Sequence, residues 1–305
     1  MNRRKLLLAA SISCCAAVSI PASAVQFELI PGVTLTQVAV GRAEVWGVNA
    51  SQQIYRFNAT TSQFARVAGS LSQVAVGGGS LLEGDAVWGI NTADQVFQYN
   101  FSTQKFVQAQ GELAQMTVCV GGNDSCHRYD VWGINAVGSI FRYNYCTLAM
   151  DSIQGVVDSI STNGSDVWST GYHAQTEVYK YNFGTQKWIG VPLKLIGVDF
   201  LTQLAVGVND VWAIGFCFGA YHYEPALGLV LYPRPWGQGC YQVTAGADAA
   251  WGLNTEPGSD GPIVRFDPSA QIGIEVPGQL SQIASGSGAG VWGITSAGQV
   301  FVLTR

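Results

Sequence analysis

Seven tryptophans recur along the 305-residue chain, in Val45-Trp46, Val87-Trp88, Val131-Trp132, Val167-Trp168, Val211-Trp212, Ala250-Trp251 and Val291-Trp292, with successive spacings of 42, 44, 36, 44, 39 and 41. A unit of this length cannot bury its apolar face alone and must stack on its neighbours. The period therefore signals a solenoid or a propeller, and strand content decides which. Each unit divides into four strand-forming pieces. The first uses small residues after a polar start, as in Gln37-Val-Ala-Val-Gly, Gln73-Val-Ala-Val-Gly and Gln203-Leu-Ala-Val-Gly, and the second carries the Trp. The third is aromatic, as in Ile54-Tyr-Arg-Phe-Asn, Val96-Phe-Gln-Tyr-Asn, Ile140-Phe-Arg-Tyr-Asn and Val178-Tyr-Lys-Tyr-Asn. The fourth follows an Asn/Ser/Thr turn, as in Phe64-Ala-Arg-Val, Phe106-Val-Gln-Ala and Trp188-Ile-Gly-Val. Four short strands per unit are what a propeller blade requires.

Residue size orders these strands by radius. Ala39, Ala75, Ser161, Ala205 and Ala284 suit the crowded axis, whereas Trp and Tyr rings fill gaps that widen outward. The seven Trp side chains are thus expected as core between blades. Gly follows each where the backbone must approach closely, except in units four and five, which drift to Ser169-Thr170 and Ala213-Ile214-Gly215. Phe27-Glu-Leu-Ile-Pro-Gly32 matches the fourth strand Phe64-Ala-Arg-Val-Ala-Gly69, and Val300-Phe-Val-Leu-Thr-Arg305 matches a third strand. The fold expected is all-β: a single β-propeller of seven four-stranded blades, closed by the N-terminal strand so that no sheet edge stays open.

Ahead of the first unit, Arg3-Arg4-Lys5, an apolar run from Leu6 to Ile20 and Ala22-Ser23-Ala24 read as a secretory signal peptide spanning 1–24, leaving 25–305 as the propeller. A secreted or periplasmic location is expected, and no apolar run reaches the length of a membrane-spanning helix. Without residues 1–24, 12 Lys and Arg against 20 Asp and Glu leave a formal net charge of −8. Nucleic acid and anionic membrane surfaces are poor partners for such a chain. Of the five cysteines then remaining, Cys119 with Cys126 and Cys217 with Cys240 are the expected local bridges, leaving Cys146 over; Cys126 with Cys146 is an open alternative.

The units Val-Trp-Gly-Val-Asn and Ile-Tyr-Arg with the following aromatic strand resemble the tectonin repeat of tachylectin-type and fungal tectonin lectins, from about Phe27 to Arg305. The resemblance implies a propeller that recognises glycans, including bacterial lipopolysaccharide and methylated sugars. Tectonin lectins are often built from six repeats, so a six-bladed ring is the alternative to the seven counted here. A shared fold does not by itself fix a ligand.

Catalytic chemistry has little to stand on. His127, His173 and His222 fall in different units, and no Gly-x-Ser-x-Gly elbow, phosphate loop or His-Glu-x-x-His motif occurs. The carboxylates are scattered, so no glycosidase pair is nominated. Asp124, His127 and Asp130 are a conceivable metal set, but a solvated loop is the better reading. No cofactor and no catalytic residue is expected. The function expected is that of a secreted, carbohydrate-binding lectin with repeated weak sites. Its candidate ligand residues are Asn49, Asn91, Asn135 and Asn254, which follow the Trp motif at one place and whose amides offer donor and acceptor together to sugar hydroxyls. The competing role for these residues is the turn cap. Two other functions stand as alternatives. One is a protein-binding scaffold using Tyr221, Tyr223, Tyr232 and Trp236, and the other is a glycan-processing propeller enzyme.

Overall fold

The computed structural model describes residues 25–304 except 78–83, 121–125, 127–128, 164, 173–176, 195–200, 209, 216–218, 233–240, 248, 257 and 268–271. The expected signal peptide, 1–24, lies outside the described residues. The described residues form seven antiparallel blades; a parallel bridge between Ala149 and Gln110 joins two of them into one eight-stranded sheet, and Leu193–Lys194 adds a short parallel fifth strand to another. Blade 1 runs Gln37–Val40, Val45–Val48, Ile54–Asn58 and Gln63–Val67 from inside to outside. The same order repeats from inner strands Gln73–Gly77, Gln115–Val120, Ile160–Thr162, Leu201–Val206 and Gln242–Ala245. Blade 7 takes three strands from Gln282–Ser285, Val291–Ile294 and Gln299–Thr304 and its outer strand from Gln26–Thr34. There Phe27 lies opposite Leu303 and Leu29 opposite Phe301. This is the seven-bladed, strand-closed ring that the repeat count implies.

The recurrent glutamine has a physical reason. Innermost strands present N–H groups with no further strand to receive them, and a buried amide left unpaired is costly. The Gln side chain of one blade accepts from the inner strand of the next: Gln37 Oε1 from Val74 N (2.8 Å), Gln203 from Val243 N (3.0 Å), Gln242 from Ile283 N (2.8 Å) and Gln282 from Val38 N (3.0 Å). The last bond joins blade 7 to blade 1 and completes the ring. In blade 4, where Ser159 replaces Gln, Ser161 Oγ accepts from Val206 N instead (3.2 Å).

Each Trp is buried, 0–4% exposed. Its ring packs on the third strand of the next blade, with centroid distances of 4.6 Å for Trp46 to Tyr99, 4.7 Å for Trp88 to Tyr143, 5.0 Å for Trp132 to Tyr181 and 4.7 Å for Trp292 to Phe57. Trp251 meets Phe27 of the closing strand edge-on at 6.4 Å. The Gly that follows makes room for a leucine from the incoming linker: a Cβ on Gly47 would fall 2.4 Å from Leu35 Cδ1, and one on Gly133 2.4 Å from Leu113 Cδ1.

Opposite the Trp, the third strand carries a cation in several blades: Arg56, Arg142, Lys180, His222 and Arg265. Two residues before the Trp stands its acid. Glu44 takes Arg56 Nε (2.7 Å), Asp130 takes Arg142 Nε (2.9 Å) and Asp166 pairs with Lys180 (2.7 Å). The three cations sit 5.7, 5.2 and 5.6 Å from their own Trp centroids. Blade 2 has Ala86 and Gln98 in these places, and the Trp88 indole N–H finds no acceptor among the described residues. In blade 1 the Trp46 indole donates to Glu44 at 2.8 Å.

His222 fills the cation place of blade 5. Burial pushes its imidazole below the ordinary 6.5, opposed by Asp210 and Glu224. A base depressed on folding binds protons better in the unfolded chain, so stability is fully present above the unfolded value and is lost as pH falls through the folded one. Melting temperatures across pH 7.5 to 5 should therefore fall more steeply for wild type than for His222→Gln. Parallel profiles would show that His222 does not titrate in this way.

The disulfide expectation needs correction. Cys126 is bonded to Cys146 (Cα–Cα 5.0 Å), not to Cys119. The loop after an inner strand and the turn after a third strand leave the blade on the same face, which brings 126 and 146 together. Cys119 lies within the inner strand, lining the axial opening with Val40, Val76 and Val206. Cys217 and Cys240 lie outside the described residues.

Candidate functional site

The turns joining second to third strands all emerge on one rim of the ring, and they carry the four candidate asparagines. Asn49 Oδ1 accepts from Ser51 N (3.0 Å) and Gln53 N (2.9 Å), while its Nδ2 donates to Gln53 Oε1 (2.9 Å). Asn91 repeats this with Ala93, Gln95 and Gln95 Oε1 at 3.0, 3.0 and 2.8 Å. Both carbonyl lone pairs are taken by the turn, so these two residues do not offer the donor and acceptor pair expected from sequence. Asn135 differs. Its Oδ1 caps the turn through Val137 N (3.2 Å) and Ser139 N (2.9 Å), but Ser139 stands where blades 1, 2 and 7 have Gln53, Gln95 and Gln299. Its Nδ2 is consequently not consumed by the turn. Asn254 has no side-chain bond of this kind among the described residues; its backbone N–H donates to Pro262 O at 3.1 Å.

Asn135 also lines a groove. Between blades 2 and 3, on this rim, a cavity of about 590 Å³ is bounded by Gln95, Gln108, Gln110, Asn135, Phe141 and Met150. A second, of about 510 Å³, lies between blades 5 and 6 and is bounded by Thr202, Tyr241, Gln242, Thr255 and Ser281. These two grooves differ in lining. Amide and hydroxyl groups around a small apolar floor can bind a polyhydroxylated ring through hydrogen bonds and stacking.

Of the aromatic residues expected for a scaffold surface, Tyr221 and Tyr232 are buried and Tyr223 is half-buried. Tyr221 and Tyr232 are 2% and 5% exposed, and the Tyr232 hydroxyl donates to the carbonyls of Asp267 and Ile272, tying blade 5 to blade 6. Burial, with Asp267 nearby, pushes the Tyr232 hydroxyl up to about 12. Trp236 lies outside the described residues. Of the conceivable metal set, Asp124 and His127 are also outside them, and Asp130 is engaged by Arg142.

Seven blades closed by a shared strand define a β-propeller. The sequence profile of the tectonin domain matches residues 21–190, over half of the chain. The chain belongs to the tectonin domain family. In fold it is similar to YCF48 bound to a D1 peptide, at 13% identity and a TM-score of 0.66 over 92% of this chain and 97% of that one. It is similar also to the β-propeller domain of Myceliophteria thermophila Cps50 (Swd1), at 8% and 0.67 over 91% and 98%. The WD40 repeats of RRP9 match at 7% and 0.64 over 92% and 99%. At these identities the likeness is one of architecture. Among curated proteins, no sequence matches the chain.

Proposed function

We propose that the protein is an extracytoplasmic glycan-binding propeller, a lectin rather than an enzyme, that engages envelope-type surface sugars through its inter-blade grooves. The observation that carries this reading is the amide-lined groove between blades 2 and 3, where the Asn135 amide points donors not needed by its own turn beside Gln95, Gln108 and Gln110. Membership of the tectonin family supports it. The Cys126–Cys146 bridge supports an oxidising compartment.

Shallow sugar sites are weak singly and gain from multivalent display, by roughly 10² to 10⁴ in apparent affinity. A glycan array followed by calorimetry with the best soluble glycan, and by the same glycan at high density on beads, tests the reading. Asn135→Asp keeps the capping oxygen and deletes the amide donor, so it should weaken binding at unchanged melting temperature. Asn49→Ala should instead cost about 1 kcal/mol of stability, the usual worth of a lost side-chain cap of this kind, and leave binding intact. No glycan retained even at high density would overturn the lectin reading, and capture of an envelope protein in its place would favour the scaffold.

A further inference from the structure

One interface breaks the repeat at three positions at once. In blade 6, Arg265 lies opposite Trp251, the place of Arg56 and Arg142 in their blades. The acid that pairs with those cations is replaced here by Ala249, two residues before Trp251. On the neighbouring blade, Leu303 stands where Tyr99, Tyr143 and Tyr181 cover the Trp in other interfaces, and Ser287-Gly288 stand where Arg42-Ala43 follow the inner strand of blade 1. The result is a cavity of about 600 Å³ between blades 6 and 7, bounded by Trp251, Arg265, Ser285, Ser287, Gly288 and Leu303. Arg265 is exposed and, among the described residues, pairs with no carboxylate, and no Asp or Glu appears in the described lining. Elsewhere in the ring, Glu44, Asp130 and Asp166 neutralise the equivalent charge.

We infer that this cavity is an oxyanion site in which Arg265 holds a carboxylate or phosphate borne on a small ligand. A guanidinium presents a planar fork matched to two oxygens of such a group, and its bonds to a charged acceptor are about twice as strong as neutral ones. The place the external anion takes is that of the missing acid: in blade 1 the Glu44 carboxylate lies against both Nε and Nη2 of Arg56, at 2.7 and 2.5 Å. Ser287 and the Gly288 N–H, which line the same cavity as Arg265, make no internal hydrogen bond among the described residues and supply neutral donors. Trp251 gives the ligand body an apolar wall. The site opens on the rim opposite the asparagine turns, because it is built from the loops after inner strands, and it does not depend on the lectin reading.

Calorimetry of the whole protein with glucuronate, glucose 6-phosphate, inorganic phosphate and neutral glucose tests the site. At least one anionic probe should bind at least tenfold more tightly than glucose. Glucuronate alone assigns a carboxylate ligand, and the phosphates alone assign a phosphoryl ligand. Arg265→Gln should abolish binding and Arg265→Lys should weaken it. Ala249→Asp is the sharper variant: it restores the internal ion pair of the other blades and should reduce binding at least tenfold while leaving melting unchanged or higher. Asp248→Asn checks that the acid adjoining Ala249, outside the described residues, does not account for the effect; binding should persist. Arg56→Gln and Asn135→Asp, in other sites, should leave anion binding unchanged. Failure of every anionic probe, or binding that survives both Arg265→Gln and Ala249→Asp, would overturn the assignment.

Discussion

Removal of residues 25–34 is expected to lower the melting temperature by more than about 10 °C, or to drive the protein into aggregates. That segment is the outer strand of blade 7, paired along Gln299–Thr304 from Gln26 opposite Thr304 to Ile30 opposite Val300. It buries Ile30, at 8% exposed, and lays Phe27 edge-on against Trp251. Burial of two large apolar side chains contributes about 1.5–3 kcal/mol each, before the lost ladder is counted. For a domain of 150–250 residues, 1 kcal/mol corresponds to roughly 2–4 °C. Its loss also exposes the third strand as an open, unpaired edge, a template for association between chains. Calorimetry and size-exclusion chromatography of the shortened chain test this, with Phe27→Ala as the milder variant. A monomer melting as wild type would mean that the ring does not need its closing strand.

The ring was readable because its determinants are periodic. A Trp every forty residues, a small inner strand and complementary ends specify seven blades before any contact is known, and the structure places each in its expected strand. What periodicity could not reveal was how the side chains are used. The glutamines at the start of the inner strands were visible as a pattern, but their role, an amide handed from blade to blade as in Gln282 to Val38, depends on a neighbour in space. The acid and cation flanking the Trp of blades 1, 3 and 4 are likewise present in the sequence, as in Glu44 and Arg56 or Asp130 and Arg142. They become a pair only once third and second strands are in register. The candidate asparagines follow the Trp motif at one place, yet identical motif positions are chemically unequal. A single change, Ser139 for the Gln of blades 1 and 2, decides whether the amide is spent on the turn. The cysteine pairing was misread because sequence proximity favoured 119 with 126, whereas the face on which loops emerge favoured 126 with 146. The proposed anion site is legible only as three departures from the repeat, at Ala249, Leu303 and Ser287-Gly288. Such departures point to function only when space shows that they converge.

Removing the guanidinium of blade 3 is expected to cost far more than removing that of blade 1, although the two ion pairs occupy the same place in the repeat. Side-chain exposures are 9% for Arg142 and 0% for Asp130, against 37% for Arg56 and 16% for Glu44. Stripping one partner from a buried pair weakens the compensation of a desolvated charge, a loss that reaches about 3–5 kcal/mol, so Arg142→Met should destabilise more than Arg56→Met. At the partly solvated pair water replaces much of the lost attraction, and Arg56→Met should cost under about 1 kcal/mol. Cation contacts do not separate the two, since Arg142 lies 5.2 Å from the Trp132 centroid and 5.0 Å from Phe183, and Arg56 lies 5.7 Å from Trp46 and 5.4 Å from Phe101. The double variant Asp130→Asn with Arg142→Met should recover at least half of the loss, because it removes the buried charge as well as its partner. Urea unfolding of the four proteins measures all three quantities. Equal costs at blades 1 and 3, or no recovery in the double variant, would show that packing of the arginine stems, and not the desolvated charge of Asp130, sets the stability of these interfaces.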